Sequence, residues 1–179
     1  MTWPNIEAAL ATFATALAVS GCVSVDNSAQ AVVASASLVR GDDATIGSAR
    51  LMPTLTGMTL AVEAAGLPPG LHGIHVHAAG RCDPPDFATA LGHWNPGGRA
   101  HGPANPAGAH AGDLPNLLIG ADGRGSAQFR LDAAAGPGLD ALFDADGAAL
   151  VIHAGADDMR TDPSGNSGGR IACGVFVRR

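Results

Sequence analysis

The sequence predicts an all-β protein, an antiparallel sandwich or barrel of about eight strands with two long loops. After residue 30, short runs of alternating apolar and polar residues are bounded by glycine, proline, aspartate and asparagine, as in strands joined by turns. The 179 residues include 25 glycines and 12 prolines but only 4% aromatic residues, so we expect many turns around an aliphatic core. The length suits one domain with a terminal extension. The net charge of −6 argues against nucleic acid as a partner.

Residues 1–21 are predicted to be a secretory signal peptide. From Ala8 to Ser20 nearly every residue is small or apolar, a run too short for a mature membrane span but typical of a signal sequence. The small residues before Cys22 resemble the lipobox of bacterial lipoproteins, in which the cysteine becomes the lipidated first residue. The alternative is an ordinary signal peptide cleaved nearby, with Cys22 incidental. In either case we expect export to an oxidising compartment. The protein would be either free in the bacterial periplasm or anchored to the outer membrane, and it would touch lipid only through Cys22.

The folded domain is predicted to cover residues 31–179, after a polar tether over 22–30. Its strands are separated by turn and breaker residues, among them Gly41-Asp42-Asp43, Pro53 and the hairpin signal Asp122-Gly123. The predicted strands cover residues 31–40, 44–52, 55–64, 70–77, 114–120, 126–132, 148–153 and 170–177.

The fourth predicted strand, residues 70–77, carries three histidines. It follows the breaker Pro68-Pro69. Side chains alternate between the two faces of a strand, so His75 and His77 are expected on one face, whereas His72 has the opposite parity. Two imidazoles on one face, about 7 Å apart along the backbone, can converge on one metal ion.

The stretch 78–113 has no sustained periodicity, and a structureless loop of that length in a compact domain is normally functional or disordered. It holds three histidines and a carboxylate that could be tied together by Zn²⁺, which prefers four N, O or S ligands in a tetrahedron. These residues are His93, His101, His110 and Asp113. His153 ends an apolar strand and is the only remaining histidine that could complete a site with His75 and His77.

These residues and their surroundings resemble the copper/zinc superoxide dismutases from about residue 30 to the C-terminus. The spacing within the long loop also fits that family, with eight residues from His93 to His101, nine more to His110 and three more to Asp113. The resemblance implies a Greek-key sandwich and conversion of superoxide to oxygen and hydrogen peroxide by alternating Cu(II) and Cu(I). The motifs that carry it are GLHGIHVH at 70–77, GHWNP at 92–96, HAGDLP at 110–115 and GGRIACGV at 168–175.

The resemblance also implies the metal ligands, with one copper and one zinc ion per subunit. His93 would bridge the two ions as an imidazolate and would deliver a proton during catalysis, whereas His72 would be structural. The implied copper ligands are His75, His77, His93 and His153. The implied zinc ligands are His93, His101, His110 and Asp113.

The resemblance implies further roles around these ligands. Asp157 would link a copper ligand to a zinc ligand, with Asp158 as the alternative if the register differs by one. Cys82 and Cys173 would form the intrasubunit disulfide. Arg170 would be the catalytic arginine that attracts superoxide.

The second long loop, 154–169, has Arg160 as its only basic residue, so we expect weaker electrostatic steering than in lysine-rich relatives. Family members are commonly dimers and bacterial monomers occur, so a homodimer and a monomer remain alternatives. A copper carrier or structural protein of the same fold is disfavoured because no copper ligand is lost. A zinc hydrolase is disfavoured because four protein ligands leave no position for water.

Overall fold

The computed structural model describes Met1, residues 31–132 and residues 139–179. The predicted signal peptide after Met1, the tether and Cys22 lie outside the described residues, as do residues 133–138 between two of the predicted strands. Within the described part of the chain, no helix has both the length and the apolar character needed to cross a membrane.

Strands and short 3-10 helices make up the regular structure of the described residues. The strands are β1 (Ala34–Arg40), β2 (Thr45–Thr54), β3 (Gly57–Ala65), β4 (Gly70–His72), β5 (Ile74–His77), β6 (Leu117–Ile119), β7 (Arg124–Asp132), β8 (Ala149–His153), β9 (Arg170–Val175) and β10 (Val177–Arg178). The 3-10 helices cover Ala88–Ala90 and Leu139–Phe143.

Antiparallel pairing joins most strands into one strongly curled sheet with the order β5-β8-β9-β1-β2-β3-β7, while β10 pairs with β1. A short separate ribbon joins β4 to β6. The chain leaves β3, passes through β4 and returns as β5 at the opposite edge of the sheet. The all-β, antiparallel prediction is therefore confirmed, and the sheet brings together strands that are far apart in sequence.

Alternation along the strands places apolar side chains inside the curl. In β3, for example, Leu60 and Val62 are buried while Glu63 is exposed, and Leu51 of β2 and Leu38 of β1 are fully buried in the same core. Burial of each such large aliphatic side chain contributes about 1.5–3 kcal/mol. The core is aliphatic, as the low aromatic content predicts.

The predicted strand 70–77 is instead two strands, because the chain changes partners at Gly73. β4 pairs with β6, whereas β5 pairs with β8. Gly73 donates its N–H to the carbonyl of Gly155 at 2.8 Å and accepts from the N–H of His153 at 2.8 Å. A Cβ at position 73 would lie 2.7 Å from the Cβ of Ser167, so only glycine allows this close approach.

The break predicted near Pro53 is also wrong, because β2 continues to Thr54 and the turn consists of Leu55 and Thr56. Pro53 pairs with Met58 of β3, but it lies beyond Leu51, the last residue of β2 that pairs with β1. The proline therefore lies near the end of β2, beyond the residues that pair with β1, where a strand more readily tolerates a missing N–H.

The predicted disulfide between Cys82 and Cys173 is present and spans 91 residues. Cys173 lies in β9 and is fully buried against Phe87 and Val151 in a small second core. The bond thereby ties the long loop after β5 to the last long strand of the sheet.

We expect replacement of Cys82 by serine to lower the free energy of unfolding by about 4–5 kcal/mol, because the unfolded chain regains the entropy of a large closed loop. Urea unfolding of the oxidised protein and of Cys82→Ser measures the difference. The reduced wild-type protein is the control, since it lacks the bond but keeps both sulfur atoms. If the free energy of unfolding fell by less than about 1 kcal/mol in both Cys82→Ser and the reduced wild type, the entropic account would be contradicted.

Candidate metal centre

Three strand histidines and one loop histidine converge at the end of the β5–β8 pair. His75 and His77 project from β5, and His153 is the last residue of β8, whose register with β5 aligns Ile152 with Ile74. His93 joins them through an isolated bridge with His77. One ring nitrogen of each histidine lies within 4.8 Å of the corresponding atom of every other.

Hydrogen bonds on the outer side fix the tautomer of two of these rings. His77 uses Nδ1 to donate to the carbonyl of Leu91 at 2.8 Å, and His153 uses Nδ1 to donate to the carbonyl of Gly168 at 3.1 Å. A neutral imidazole that donates from Nδ1 has its lone pair on Nε2. The Nε2 lone pairs of His77 and His153 therefore face the cluster.

The inner nitrogens of this cluster are buried, and the described residues offer them no hydrogen-bond partner. These atoms are His75 Nδ1, His77 Nε2, His93 Nε2 and His153 Nε2. Leaving so many polar atoms buried and unpaired costs about 1–3 kcal/mol each. A metal ion that suits imidazole, as copper does, would satisfy all of them at once, so the donor set fits copper.

A second cluster surrounds the carboxylate of Asp113. Its Oδ1 lies 2.8 Å from His93 Nδ1, 3.1 Å from His101 Nδ1 and 3.1 Å from His110 Nδ1, and the nitrogens of His93 and His110 are 3.3 Å apart. A tetrahedron with Zn–N and Zn–O bonds of about 2.0–2.1 Å has edges of about 3.3–3.4 Å. The spacing of the donor atoms therefore fits zinc.

His93 belongs to both clusters and separates them. Its Nε2 faces the first cluster and its Nδ1 faces Asp113 in the second. Its side chain is only 3% exposed, and its ring stacks on that of His75 at a centroid distance of 4.0 Å. The two nitrogens of one ring thus face one cluster each, a geometry in which one imidazole could bind two ions.

Asp157 connects the clusters from the other side. Its Oδ2 accepts from His75 Nε2 at 2.6 Å, and its Oδ1 accepts from His101 Nε2 at 3.0 Å, which leaves Nδ1 of each ring free for metal. Burial alone would raise the pKa of this carboxyl, but the hydrogen bonds from His75 and His101 outweigh it and hold the pKa well below its usual range. Asp158 is exposed and binds Thr161 and Asn166 instead.

Glycines allow the second loop to close over this carboxylate. Gly165 has φ +62°, and a Cβ there would overlap Asp157 Oδ1 and lie 2.8 Å from His101 Nε2. A side chain at this position would therefore displace the hydrogen bond that joins Asp157 to His101. This explains why position 165 of the loop around Asp157 is a glycine.

Arg170, the first residue of β9, lies beside the first cluster. Its Nη1 donates to the carbonyl of Phe87 and its Nη2 donates to the carbonyl of Leu91, both at 2.6 Å. Burial lowers the pKa of this guanidinium, although the nearby carboxylate of Asp86 opposes that effect. Arg170, His77, His93 and His153 line a cavity of about 480 Å³.

Leu91 holds two functional side chains with a single carbonyl, since that oxygen accepts from both His77 and Arg170. Its backbone has φ +62° and ψ −152°, a region that only glycine adopts readily. The sequence analysis missed this residue, and no sequence signal marks it, because every residue carries a carbonyl and its direction depends on the fold.

The remaining histidine of the motif, His72, lies outside both clusters. Its Nδ1 is 2.7 Å from the carbonyl of His153, and its Nε2 is 2.8 Å from the carbonyl of Pro68. The ring therefore braces the end of β8 against the turn before β4. The structure thus brings every predicted ligand of the domain into one of two adjacent clusters.

Burial lowers the pKa of His77 to about 2 and the pKa values of His93 and His153 to about 4, in each case because the charged ring would lose its hydration. Burial would raise the pKa of Asp113, but hydrogen bonds from His93 and from the backbone of Gly102 lower it to about 2. Without metal, His77, His93 and His153 are therefore neutral and the Asp113 carboxylate is charged near pH 7.

Residues 45–176 match the family model of copper/zinc superoxide dismutase (SODC). The copper–zinc superoxide dismutase 1 of Aquifex aeolicus is 43% identical over 155 residues, which cover 82% of this chain and 89% of that protein.

Two solved structures have the same fold. The superoxide dismutase-like protein from Bacillus subtilis gives a TM-score of 0.74 at 37% identity, with 80% of this chain and 97% of that chain covered. The Cu/Zn superoxide dismutase from Brucella abortus gives a TM-score of 0.63 at 28% identity, with 79% of this chain and 97% of that chain covered.

We expect the metal-free protein to lose stability as the pH falls from about 7 to about 5. An unfolded histidine titrates near pH 6.5, whereas the buried rings of His77, His93 and His153 titrate at about 4 or below, so the unfolded chain binds more protons in this window. Each ring contributes about 2 kcal/mol to the loss.

Urea unfolding of the chelator-treated protein at both pH values tests this expectation. The variant His153→Ala is the control, because it lacks one of the buried rings and should show a loss smaller by about 2 kcal/mol. A free energy of unfolding that stays constant or rises as the pH falls to 5 would contradict the expected burial of neutral histidines.

Proposed function

The chain belongs to the copper/zinc superoxide dismutase family, and we propose that its two histidine clusters are the copper and zinc sites of an active enzyme. The family membership makes the protein an oxidoreductase that acts on superoxide with copper and zinc as cofactors. The observation that carries the proposal is the set of four buried imidazole nitrogens that face one another without a partner. The proposed copper ligands are His75, His77, His93 and His153. The proposed zinc ligands are His93, His101, His110 and Asp113.

Copper supplies one-electron exchange between Cu(II) and Cu(I), so that one superoxide is oxidised to oxygen and a second, with two protons, is reduced to hydrogen peroxide. The residues of the chain then have to bind an anion, deliver a proton and hold the ligands in place.

Arg170 is proposed to bind the anion. Two of its N–H groups are occupied by the carbonyls of Phe87 and Leu91, which fix the plane of the guanidinium at the cavity wall. A guanidinium has five N–H donors, so others remain for a small anion beside His77 and His153. The positive charge would also favour superoxide over neutral molecules.

His93 is proposed to hold the proton that the product requires. Its Nε2 faces the first cluster, whose residues His77 and His153 line the cavity together with His93, while its Nδ1 stays against Asp113 among the proposed zinc ligands. The ring can therefore take and release a proton at Nε2 without losing its anchor at Nδ1. A proton held at this atom lies next to the place where the anion would bind.

The zinc cluster is proposed to be structural. Four protein donors complete a tetrahedron and leave no position for a water molecule, which disfavours a hydrolytic role. A copper carrier or a purely structural role would not require an arginine anchored by two carbonyls at the cavity wall, and Arg170 is anchored in that way.

We further propose that the protein is exported and protects the cell envelope from superoxide. The apolar run before Cys22 and the disulfide between Cys82 and Cys173 support an oxidising location. Cys22 is proposed to carry the lipid that anchors the chain, and residues 31–179 to form the enzyme domain.

We expect His153→Ala to bind copper poorly and to lose dismutase activity by at least about 100-fold, because one of the ligands is removed without disturbing the zinc cluster. Metal analysis and a dismutase assay on protein loaded with both metals measure the two effects. Asn105→Ala is the control, because Asn105 lies in the first long loop but belongs to neither cluster. Equal copper content and equal activity in His153→Ala and wild type would contradict the copper assignment.

We expect the second-order rate with superoxide to depend only weakly on ionic strength. Arg160 is the single cation of the second long loop and lies among Asp157, Asp158 and Asp162, so long-range attraction is small. Arg170→Gln should lower the rate by about tenfold or more at every salt concentration, because the docking charge itself is lost. A steep fall of the wild-type rate with added salt would contradict weak steering.

The proposed lipid anchor predicts a mature protein that begins at Cys22 and carries a mass increase from acyl chains. Mass spectrometry of the protein purified from a bacterial host measures both. Cys22→Ser should remain unacylated and be released from membranes by detergent-free extraction. An unmodified N-terminus at another residue of the wild type would contradict the anchor.

A further inference from the structure

We propose that Asn116 is a positioning residue that fixes Asp157 and, through it, sets the ring orientation of His75 and His101. The inference rests on the proposed function, since it concerns how the chain keeps the ligand rings of the two proposed metal sites in fixed orientations. Asn116 touches none of the proposed ligand atoms itself.

The contacts of Asn116 are made with the main chain of one residue. Its Oδ1 accepts from the N–H of Asp157 at 2.8 Å, and its Nδ2 donates to the carbonyl of Asp157 at 2.9 Å. One side-chain amide thus occupies both backbone groups of Asp157, as a neighbouring strand would. None of the backbone–backbone hydrogen bonds within the described residues involves Asp157, so the amide stands in for a missing strand partner.

The carboxylate of Asp157 depends on this anchor. It accepts from His75 at 2.6 Å, from His101 at 3.0 Å and from the N–H of Met159 at 2.6 Å. Hydrogen bonds weaken steeply with distance, so a shift of the backbone by about 1 Å would break the bonds to both rings. Those bonds keep the proton on Nε2 and leave Nδ1 of each ring for metal.

Asn116 itself is held by the rigid part of the fold. It directly precedes β6, whose first residue, Leu117, is fully buried and pairs with His72 of β4. It also follows Asp113 by three positions. The short segment between them therefore supplies a zinc donor at one end and the anchor for Asp157 at the other.

The chemistry of the contact requires asparagine. Aspartate has the same shape but no donor, and its charge would repel the carbonyl oxygen of Asp157. Alanine removes both bonds, and glutamine carries the amide one methylene too far. Two variants therefore separate the amide from the shape of the side chain: Asn116→Ala and Asn116→Asp.

The experiment measures the affinity of the full-length, disulfide-bonded protein for Zn(II) by competition with a chromophoric chelator. We expect Asn116→Ala and Asn116→Asp to bind Zn(II) about 10–100-fold more weakly than wild type, as outer hydrogen bonds to metal ligands commonly do when removed. Asn105→Ala is the matched control. The amide of Asn105 also donates to a carbonyl of the second long loop, that of Arg160, but it does not touch Asp157. This variant should stay within about twofold of wild type.

A second readout separates positioning from general loosening. Hydrogen exchange of the ring N–H groups, measured by ¹⁵N NMR on the zinc-loaded protein, should become about tenfold faster at His75 and His101 in both Asn116 variants. The ring N–H of His77, which binds the carbonyl of Leu91, should be unchanged. This readout applies to the isosteric Asn116→Asp even if Asn116→Ala fails to fold.

The outcomes distinguish the inference from the function on which it rests. A wild-type protein that binds neither metal at these clusters overturns both. A wild type that binds both metals, with Asn116 variants that bind Zn(II) as tightly as it does, overturns only the role of Asn116. Equal acceleration of exchange at His75, His101 and His77 also overturns it, because that result indicates general loosening.

Discussion

The structure depends on the paired hydrogen bonds of one buried carboxylate, that of Asp157. By accepting from His75 at 2.6 Å and from His101 at 3.0 Å, it joins a strand histidine to a loop histidine and one cluster to the other. A carboxylate excluded from water is stable only when its oxygens are fully bonded. The second long loop must therefore close over the first in one arrangement, and the glycines at 73 and 165 provide the space for it.

The sheet and the loops contribute differently to the centre. His75, His77, His153 and Arg170 stand on paired strands, so hydrogen-bond register fixes their positions. The remaining donors lie in an irregular loop, and the disulfide to β9 and the buried side chains of Phe87 and Trp94 limit the freedom of that loop. Sites need this precision because donor atoms displaced by about 0.5 Å no longer fit one coordination geometry.

Leu91 shows where local stability is given up for the site. Its strained backbone costs about 1–3 kcal/mol, and its side chain remains 57% exposed. In return, one carbonyl oxygen orients both His77 and Arg170, so the ring proposed to bind copper and the guanidinium proposed to bind the anion keep a fixed relation. The strain is tolerated because the disulfide at Cys82, the short 3-10 helix and the buried ring of Phe87 hold the segment that leads into Leu91.

The sequence by itself determined the antiparallel all-β class, most of the strands, the residue types of both clusters and the shared face of His75 and His77. These features follow from local periodicity and from side-chain chemistry, which are written directly in the sequence. Only the tertiary structure decided that the strand carrying them breaks at Gly73, that Phe87 and Leu91 supply the carbonyls for Arg170, and that Asn116 holds Asp157. Main-chain acceptors and pairing partners carry no residue-specific signal, because they are selected by which distant segments the fold brings together.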